Sequence, residues 1–185
     1  HTEHIVICGW NFQGQLIIEE LLDARSKPIV VIPGEEFPQD LKQFQSKVSV
    51  ILGSPTDDNI LNSANIVGAE RAIILTDSSL PPDNADAKVL MITLAVETLN
   101  PKVYTCAQLM NSENAIHLKR ANVDELIQFD VIGASLAAGS ALNPGITKII
   151  SEFVHYNEGS ELYKLNAPTH DDLVGNDFKD ASAWF

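Results

Sequence analysis

The fold is decided close to the start of the chain, where an apolar run leads into a glycine-bounded turn: Ile5-Val6-Ile7-Cys8-Gly9-Trp10-Asn11-Phe12-Gln13-Gly14. The apolar residues before Gly9 predict a short buried strand. Leucine and isoleucine recur at helical spacing over residues 13–24, which predicts a helix directly after the turn. A strand, a tight glycine turn and a helix form the first part of a βαβ unit, so further units of this kind are expected downstream.

The same alternation continues along most of the chain. Apolar runs predict five further strands, at residues 28–32, 47–52, 71–76, 102–107 and 125–129. Helical patterns lie between them, at residues 38–45, 57–64, 84–98 and 112–120. Continuous apolar strands are typical of a parallel sheet that helices cover on both faces. The sequence therefore predicts an α/β fold with a Rossmann-like, doubly wound parallel sheet.

The alternation stops after the sixth predicted strand. Residues 132–141 and 146–154 each predict a helix, and Asn143-Pro144-Gly145 predicts a tight turn between them. This helical hairpin has an apolar face and no strand to cover, which predicts a dimerisation element; packing against the edge of the sheet is the alternative. Residues 161–165 then alternate like a half-exposed strand.

The expected organisation is therefore a Rossmann-like lobe at residues 1–131, a hairpin at 132–158 and the start of a truncated C-terminal lobe at 159–185. His1 is not an initiator methionine, and residues 176–185 predict a helix that stops within its pattern. Both ends lead us to expect that the chain is part of a longer protein.

Composition excludes several classes of protein. The chain has 185 residues, 25 of them acidic against 12 basic, and a formal charge of -13, which argues against nucleic acid and anionic membranes as partners. No apolar run approaches the roughly 20 residues needed to span a bilayer. Cys8 and Cys106 both lie in apolar segments, which favours a buried, reduced pair of thiols and the cytosol over a disulfide framework or a metal site.

The turn after the first strand resembles a phosphate-binding loop. It matches G-x-G-x-x-G at Gly9 and Gly14 but has Asn11 in the middle position, where a side chain is expected to crowd a dinucleotide, although its amide could donate to a phosphate. The alternative is that Gly9 serves the turn and Gly14 the helix packing, with no ligand. About 20 residues further on, Pro33 stands where a ribose-binding acid is expected, and Glu35 lies slightly past it.

Four segments together resemble a known family, the regulator of potassium conductance (RCK) N-terminal domain, also described as the Trk/Ktr-type potassium transport regulatory domain. The segments are His4-Ile5-Val6-Ile7-Cys8-Gly9-Trp10-Asn11, Gly53-Ser54-Pro55-Thr56-Asp57, and the stretches 61–77 and 112–127. The resemblance implies a cytosolic ligand-sensing module of a potassium channel or potassium-uptake system, at the cytoplasmic face of the membrane. It also implies a homodimer or a higher ring assembly, paired through the hairpin and acting on a pore domain.

The resemblance also implies where a ligand would bind. An adenine nucleotide or NAD(H) is the expected cofactor, held by Gly9, Asn11, Gly14, Glu35, Thr76 and Asp77. The chain departs from nucleotide-binding members at Asn11, at Pro33 and at Ser54, which replaces an aspartate.

The carboxylates of calcium-gated members are largely missing. Gln108 and Met110 stand where such members place acids, so only Asp77 could contribute a charge and no metal site is predicted. Asp83-Asn84-Ala85-Asp86 is predicted to cap the following helix, with a cation site on Asp83, Asp86 or Glu97 as the alternative.

No catalytic residues are predicted. His117, His155 and His170 have no nucleophile or metal partner at a suitable spacing, and the residues after the sixth strand do not supply a substrate domain. The sequence therefore favours a non-enzymatic regulatory module. Two alternatives stay open: a fragment of a nucleotide-dependent oxidoreductase, and a structural gating-ring module with an empty pocket.

Overall fold

A computed structural model describes residues 2–24 and 27–154, with side chains to Ser151, and in this part of the chain strands and helices alternate. The strands are β1 (His4–Cys8), β2 (Ile29–Ile32), β3 (Ser49–Val50), β4 (Ala69–Ile74), β5 (Tyr104–Gln108) and β6 (Glu125–Ile127). The α-helices are α1 (Gly14–Asp23), α2 (Asp58–Ser63), α3 (Pro82–Leu99), α4 (Ala115–Arg120), α5 (Phe129–Leu142) and α6 (Ile146–Val154). Short 3₁₀ segments lie at Gln39–Phe44, Ile66–Gly68 and Ser112–Asn114.

The six strands form one parallel sheet in the order β3-β2-β1-β4-β5-β6. The order reverses between β1 and β4, because the chain returns to the middle of the sheet after β3 and then builds outward in the other direction. This is the strand order of a doubly wound Rossmann-like fold, so the predicted fold class is confirmed. Ligands of such sheets bind beyond the carboxyl ends of the strands at this switch point.

Two hydrophobic clusters pack on the opposite faces of the sheet. Successive residues of a strand point to opposite faces, so Val6 and Cys8 belong to the cluster that contains α3, while Ile7 packs with Ile18 of α1. All five residues of β1 and all four of β2 are buried, which is why these strands read as continuous apolar runs rather than as alternating ones.

Several predicted element boundaries are wrong: central β4, predicted at 71–76, spans Ala69–Ile74, and three further errors lie at an edge of the sheet. The helix predicted at 38–45 is a 3₁₀ segment, anchored by buried Leu41 and Phe44. The strand predicted at 47–52 pairs with β2 only at Ser49 and Val50. The strand predicted to reach Phe129 ends at Ile127, where its pairing with β5 ends, and α5 begins at Phe129 rather than at Ile132. An apolar pattern continues past the last paired residue, so it does not mark where pairing stops.

Two helices follow the sheet, as the sequence predicts. In α5 no residue is buried, and the hydroxyl groups of Ser140 and Thr147 form a hydrogen bond. The chain divides into two units between Thr147 and Lys148, inside α6. No α-helix in the described ranges combines the length and the apolar character needed to cross a bilayer. The strand predicted at 161–165, the helix at 176–185, the lobe at 159–185, and His155 and His170 lie outside the described residues.

Candidate functional site

The candidate site is the crevice at the carboxyl edge of the sheet, where the turn after β1 faces the end of β4. It contains two separate cavities. The larger, of about 200 Å³, lies toward β2 and is lined by residues that include Gly9, Trp10, Pro33, Leu75, Asp77 and Lys88. The smaller, of about 70 Å³, lies toward β5 and is lined by residues that include Asn11, Gln13, Thr76, Gln108, Met110 and Phe129.

The two matching glycines of the loop are both required by close packing. Gly9 has a φ of +88°, and a Cβ there would lie 2.7 Å from the carbonyl oxygen of Leu75. A Cβ on Gly14 would lie 2.8 Å from two atoms of the Trp10 ring. Both glycines therefore have structural roles that need no ligand. Gly9 serves the turn, as the alternative expected, whereas Gly14 makes room for the Trp10 ring of the loop.

Asn11, in the middle position of the loop, is 5% exposed. Both the nitrogen and the oxygen of its carboxamide form hydrogen bonds within the protein. Its Nδ2 donates to the carbonyl oxygen of Thr76 at 2.9 Å and to Oε1 of Gln108 at 2.8 Å. Its Oδ1 accepts from the backbone N–H of Gln13 at 3.0 Å. The Asn11 amide is thus committed to protein acceptors in this structure, rather than pointing at an open phosphate position.

Gln108 completes this network from β5. Its Oε1 also accepts from the backbone N–H of Thr76 at 3.2 Å, and its Nε2 donates to Oε1 of Gln13 at 2.9 Å. We call the linked side chains of Asn11, Gln13 and Gln108, together with the backbone of Thr76, the Asn11–Gln108 bridge. The bridge joins the turn after β1 to the ends of β4 and β5, and a satisfied buried network of this kind is expected to be rigid.

Asp77 is half-buried and stands at the wall of the larger cavity. Its Oδ1 accepts from the hydroxyl of Ser79 at 2.6 Å and from its backbone N–H at 3.1 Å, and its Oδ2 accepts from Nζ of Lys88 at 2.9 Å. The Ser79 hydroxyl and the Lys88 ammonium hold the pKa of the Asp77 carboxyl below its usual value. The carboxylate is therefore ionised at neutral pH and keeps Lys88 at the cavity.

The residues predicted for the ligand site do not all line the same cavity. Gly9 and Asp77 line the larger cavity, Asn11 and Thr76 line the smaller one, and Gly14 packs under Trp10. Glu35 is exposed on the loop after β2, and the residues of that loop that line the larger cavity are Pro33 and Gly34. The indole N–H of Trp10 donates to both carboxylate oxygens of Asp40, at 3.0 and 3.2 Å, which fixes the ring beside the cavity.

Sequence reasoning missed Lys88. A signal was present, since Lys88 is the only basic residue in the largely apolar helix α3. A single cation on the helix that follows β4 places its charge near the carboxyl edge of the sheet. The structural role of Gln108 was also missed, because this position was considered only as one where calcium-gated members of the family have an acidic residue.

The side-chain cap of α3 predicted at residues 83–86 is wrong, although Asp83 does lie in the first turn, where an acidic residue complements the helix dipole. The helix begins at Pro82 without a side-chain cap, and Asp83 and Asp86 lie within it. Asp86 is 2% exposed and accepts from the backbone N–H groups of Met110 and Asn111, both at 2.9 Å. Its carboxylate therefore ties α3 to the loop after β5. In the described ranges, no three His, Cys, Asp or Glu residues are grouped so that they could hold a metal ion.

Both cysteines are free thiols, but only Cys8 is fully buried, while Cys106 is half-buried; the prediction that both are buried is wrong for Cys106. Burial raises the pKa of the Cys8 thiol to about 12 and that of Cys106 to about 11. Neither thiol is therefore activated as a nucleophile.

Comparison with known proteins shows the family. The TrkA-N domain family matches residues 5–129, and the chain belongs to this family. The predicted resemblance to the RCK N-terminal domain is thereby confirmed.

Two curated relatives are potassium channel proteins. The calcium-gated potassium channel TvoK of Thermoplasma volcanium is 29% identical over 89% of this chain and 47% of its own length. Potassium channel protein 1 of Methanocaldococcus jannaschii is 27% identical over 87% of this chain and 46% of its own length. The chain thus spans about half the length of these relatives.

Solved structures share the fold at low sequence identity. The human SLO3 gating ring superposes with a TM-score of 0.68 at 21% identity, covering 96% of this chain and 36% of that one. GsuK bound to ADP superposes with a TM-score of 0.57 at 22% identity, covering 69% of this chain and 31% of that one. The GsuK channel has also been solved bound to NAD, and it superposes with a TM-score of 0.55 at 22% identity over 69% and 21% of the two chains.

Proposed function

We propose that the chain is the cytosolic ligand-sensing domain of a potassium channel or potassium-uptake system. The observation that carries this proposal is the crevice at the switch point of a TrkA-N domain, where Gly9, Asp77 and Lys88 line one cavity. An adenine nucleotide binds there, with its phosphate near the Lys88 ammonium. Of the ligand residues predicted from the sequence, Gly9 and Asp77 line this cavity, and Lys88 joins them. Asn11, Gly14, Glu35 and Thr76 stay predictions, and they are not among the residues that line it.

Several observations support this proposal. The curated relatives named above are potassium channel proteins, and one solved structure with the same fold is bound to ADP. The crevice offers apolar walls, a cation and a carboxylate, as expected for a small polar ligand. A ligand can change the state of a pore only by binding two arrangements of the domain with different affinities.

Potassium flux through the full-length natural protein tests this proposal. Rubidium uptake into vesicles that carry the protein is measured with increasing ADP on the side that this domain faces. We expect the flux to depend on ADP, and Lys88→Ala to require about tenfold more ADP for the same response, equivalent to losing one charge-assisted contact. Leu16→Ala, at an exposed position on α1, serves as the control. A flux that ignores ADP at every concentration contradicts the proposal.

Subunit pairing is the second part of the proposal. The hairpin at residues 132–158 is proposed as the pairing element, because Ile132 and Leu142 of α5 are 57% and 80% exposed and Ile149 of α6 is 55% exposed. Exposed apolar side chains on one element are typical of an interface between copies. Ile132→Asp is expected to reduce the molecular mass measured in solution by light scattering. Leu16→Asp, at a position with a similar exposure of 58%, should not change it. A wild-type chain that is monomeric at high concentration contradicts this part.

No catalytic role is proposed for the chain. Its relatives are named as channel proteins, and both thiols have raised pKa values. An oxidoreductase would consume a nicotinamide cofactor and a substrate together. Turnover of NADH by the chain would therefore favour the enzyme alternative over a regulatory domain.

A further inference from the structure

The crevice is divided into two unequal parts, and this division bears on the size of its ligand. A dinucleotide lies across the switch point of a doubly wound sheet, with one nucleotide over each half. In this chain the half toward β2 has a cavity of about 200 Å³, whereas the half toward β5 has only about 70 Å³. The half toward β5 thus offers about a third of the space of the half toward β2.

The Asn11–Gln108 bridge makes up the wall of the smaller half. Asn11 and Thr76 are 5% and 2% exposed, and Asn11 Nδ2 binds the Thr76 carbonyl and Gln108 Oε1 at 2.9 and 2.8 Å. Gln108 is held in turn by Gln13, at 2.9 Å. A ligand entering this half would have to break hydrogen bonds whose groups are already satisfied and partly out of water, which is unfavourable.

Asn11 also takes up donors that a pyrophosphate would need. Phosphates bind at the beginning of a helix by accepting from its first backbone N–H groups. At the start of α1, the N–H of Gln13 donates to Oδ1 of Asn11 at 3.0 Å, and the N–H of Gly14 donates to the Asn11 carbonyl at 3.0 Å. The side chain of Asn11 therefore takes up the N–H of Gln13, whereas the bond from Gly14 ends on the backbone carbonyl of Asn11. Because ADP and NAD both carry a pyrophosphate, the discrimination between them rests on the closed half toward β5.

The larger half keeps its own polar groups. Among the described residues that line it, Lys88 is the cation, and its Nζ is fixed by Asp77 at 2.9 Å. Within the described part of the chain, the residues that line this cavity include no side chain of the Asn11–Gln108 bridge. A ligand in this half can therefore contact Lys88 without disturbing the bridge.

We propose that this crevice selects a mononucleotide and excludes dinucleotides, and that Asn11 is the residue that sets this specificity. The inference rests on the proposed function, because it concerns the ligand of the same crevice. The sequence led us to expect an adenine nucleotide or NAD(H), whereas this inference excludes NAD(H).

Calorimetry on the 185-residue chain with ADP and with NAD tests the inference. We expect ADP to bind the wild type at least about tenfold more tightly than NAD. Asn11→Gly opens the bridge and frees the N–H of Gln13, so it should improve NAD affinity by about tenfold relative to ADP affinity. Gln108→Ala opens the bridge from the side of β5 and leaves the start of α1 intact, so it guards against misfolding of Asn11→Gly, and circular dichroism checks both variants.

Each outcome has a distinct meaning. NAD binding as tight as ADP binding in the wild type overturns the inference and leaves ligand sensing in place. Unchanged NAD affinity in both folded variants also overturns the role of Asn11. If ADP and NAD both fail to bind the wild type and the variants, ligand sensing through this crevice is wrong, and the inference fails with it.

Discussion

Replacing Gly9 by alanine is expected to destabilise the fold strongly, and the structure gives two separate reasons. The φ of +88° at Gly9 is a conformation that residues with a Cβ rarely adopt, at a cost of about 1–3 kcal/mol. The new Cβ would also lie 2.7 Å from the Leu75 carbonyl oxygen, and such overpacking costs about another 1–3 kcal/mol. The total loss is about 2–6 kcal/mol, a large part of the stability of an ordinary domain.

Gly34 is the matched control for this change. It also follows a buried strand and has a φ of +126°, but a Cβ there would meet no atom within 4 Å. Its backbone lies further than that of Gly9 from the left-handed region allowed to alanine, so Gly34→Ala should suffer at least as much backbone strain. Any additional loss in Gly9→Ala therefore comes from the contact with Leu75.

Urea unfolding followed by circular dichroism measures this difference. An excess of about 1–3 kcal/mol corresponds to a midpoint about 0.5–1.5 M lower for Gly9→Ala than for Gly34→Ala, taking an m-value of about 2 kcal/mol/M. If Gly9→Ala loses no more stability than the roughly 1–3 kcal/mol expected from backbone strain alone, the close approach of β4 to the turn after β1 is not the reason for this glycine.

Four other substitutions test other parts of the site and the core. Ser79→Ala and Lys88→Met should each raise the pKa of Asp77, because the Ser79 hydroxyl and the Lys88 ammonium both lower it; a carbon NMR titration measures both variants, and an unchanged pKa in either one refutes that contribution. The stabilisation from Asp77 should be present above its unfolded pKa of 3.8 and be lost as the pH falls through the lower folded value. Burial raises the pKa of Glu97, so Glu97→Gln should increase the free energy of unfolding near pH 7. This increase should disappear as the pH falls toward 4.5, and an increase that is the same at every pH contradicts the prediction. Asn100→Ala leaves two backbone carbonyls without their amide donor and should cost about 2–4 kcal/mol in urea unfolding; a cost below about 0.5 kcal/mol means that water replaces the amide.

The pattern of apolar runs was enough to predict the six strands and their parallel arrangement. β1 and β2 are buried along their whole length, so nearly all of their residues are apolar and the strand pattern is clear in the sequence. At the edges the signal fails, as at β3, where the apolar run extends past the two residues that pair. The ends of an element depend on where its neighbour stops, which the local sequence does not record.

The candidate site was predicted only in part. Gly9 and Asp77 stand at the carboxyl ends of β1 and β4, so the rule for open α/β sheets brings them to one crevice. Lys88 lies 11 residues after Asp77, and its approach to the cavity depends on how α3 packs on the sheet. Asp86 was predicted to cap its own helix because local capping is common, but its partners are backbone N–H groups 24 and 25 residues away.

The sequence by itself determined the family, the order of the elements and the departure at Asn11 from the glycine pattern. Only the tertiary structure decided what Asn11 does, because its partner Gln108 lies 97 residues away on β5. The two side chains meet because β1 and β5 both pair with β4, in registers that bring their carboxyl ends to one edge. Periodicity depends on near neighbours in the chain, whereas the partner of a buried polar group is set by the register of strands that are distant in sequence.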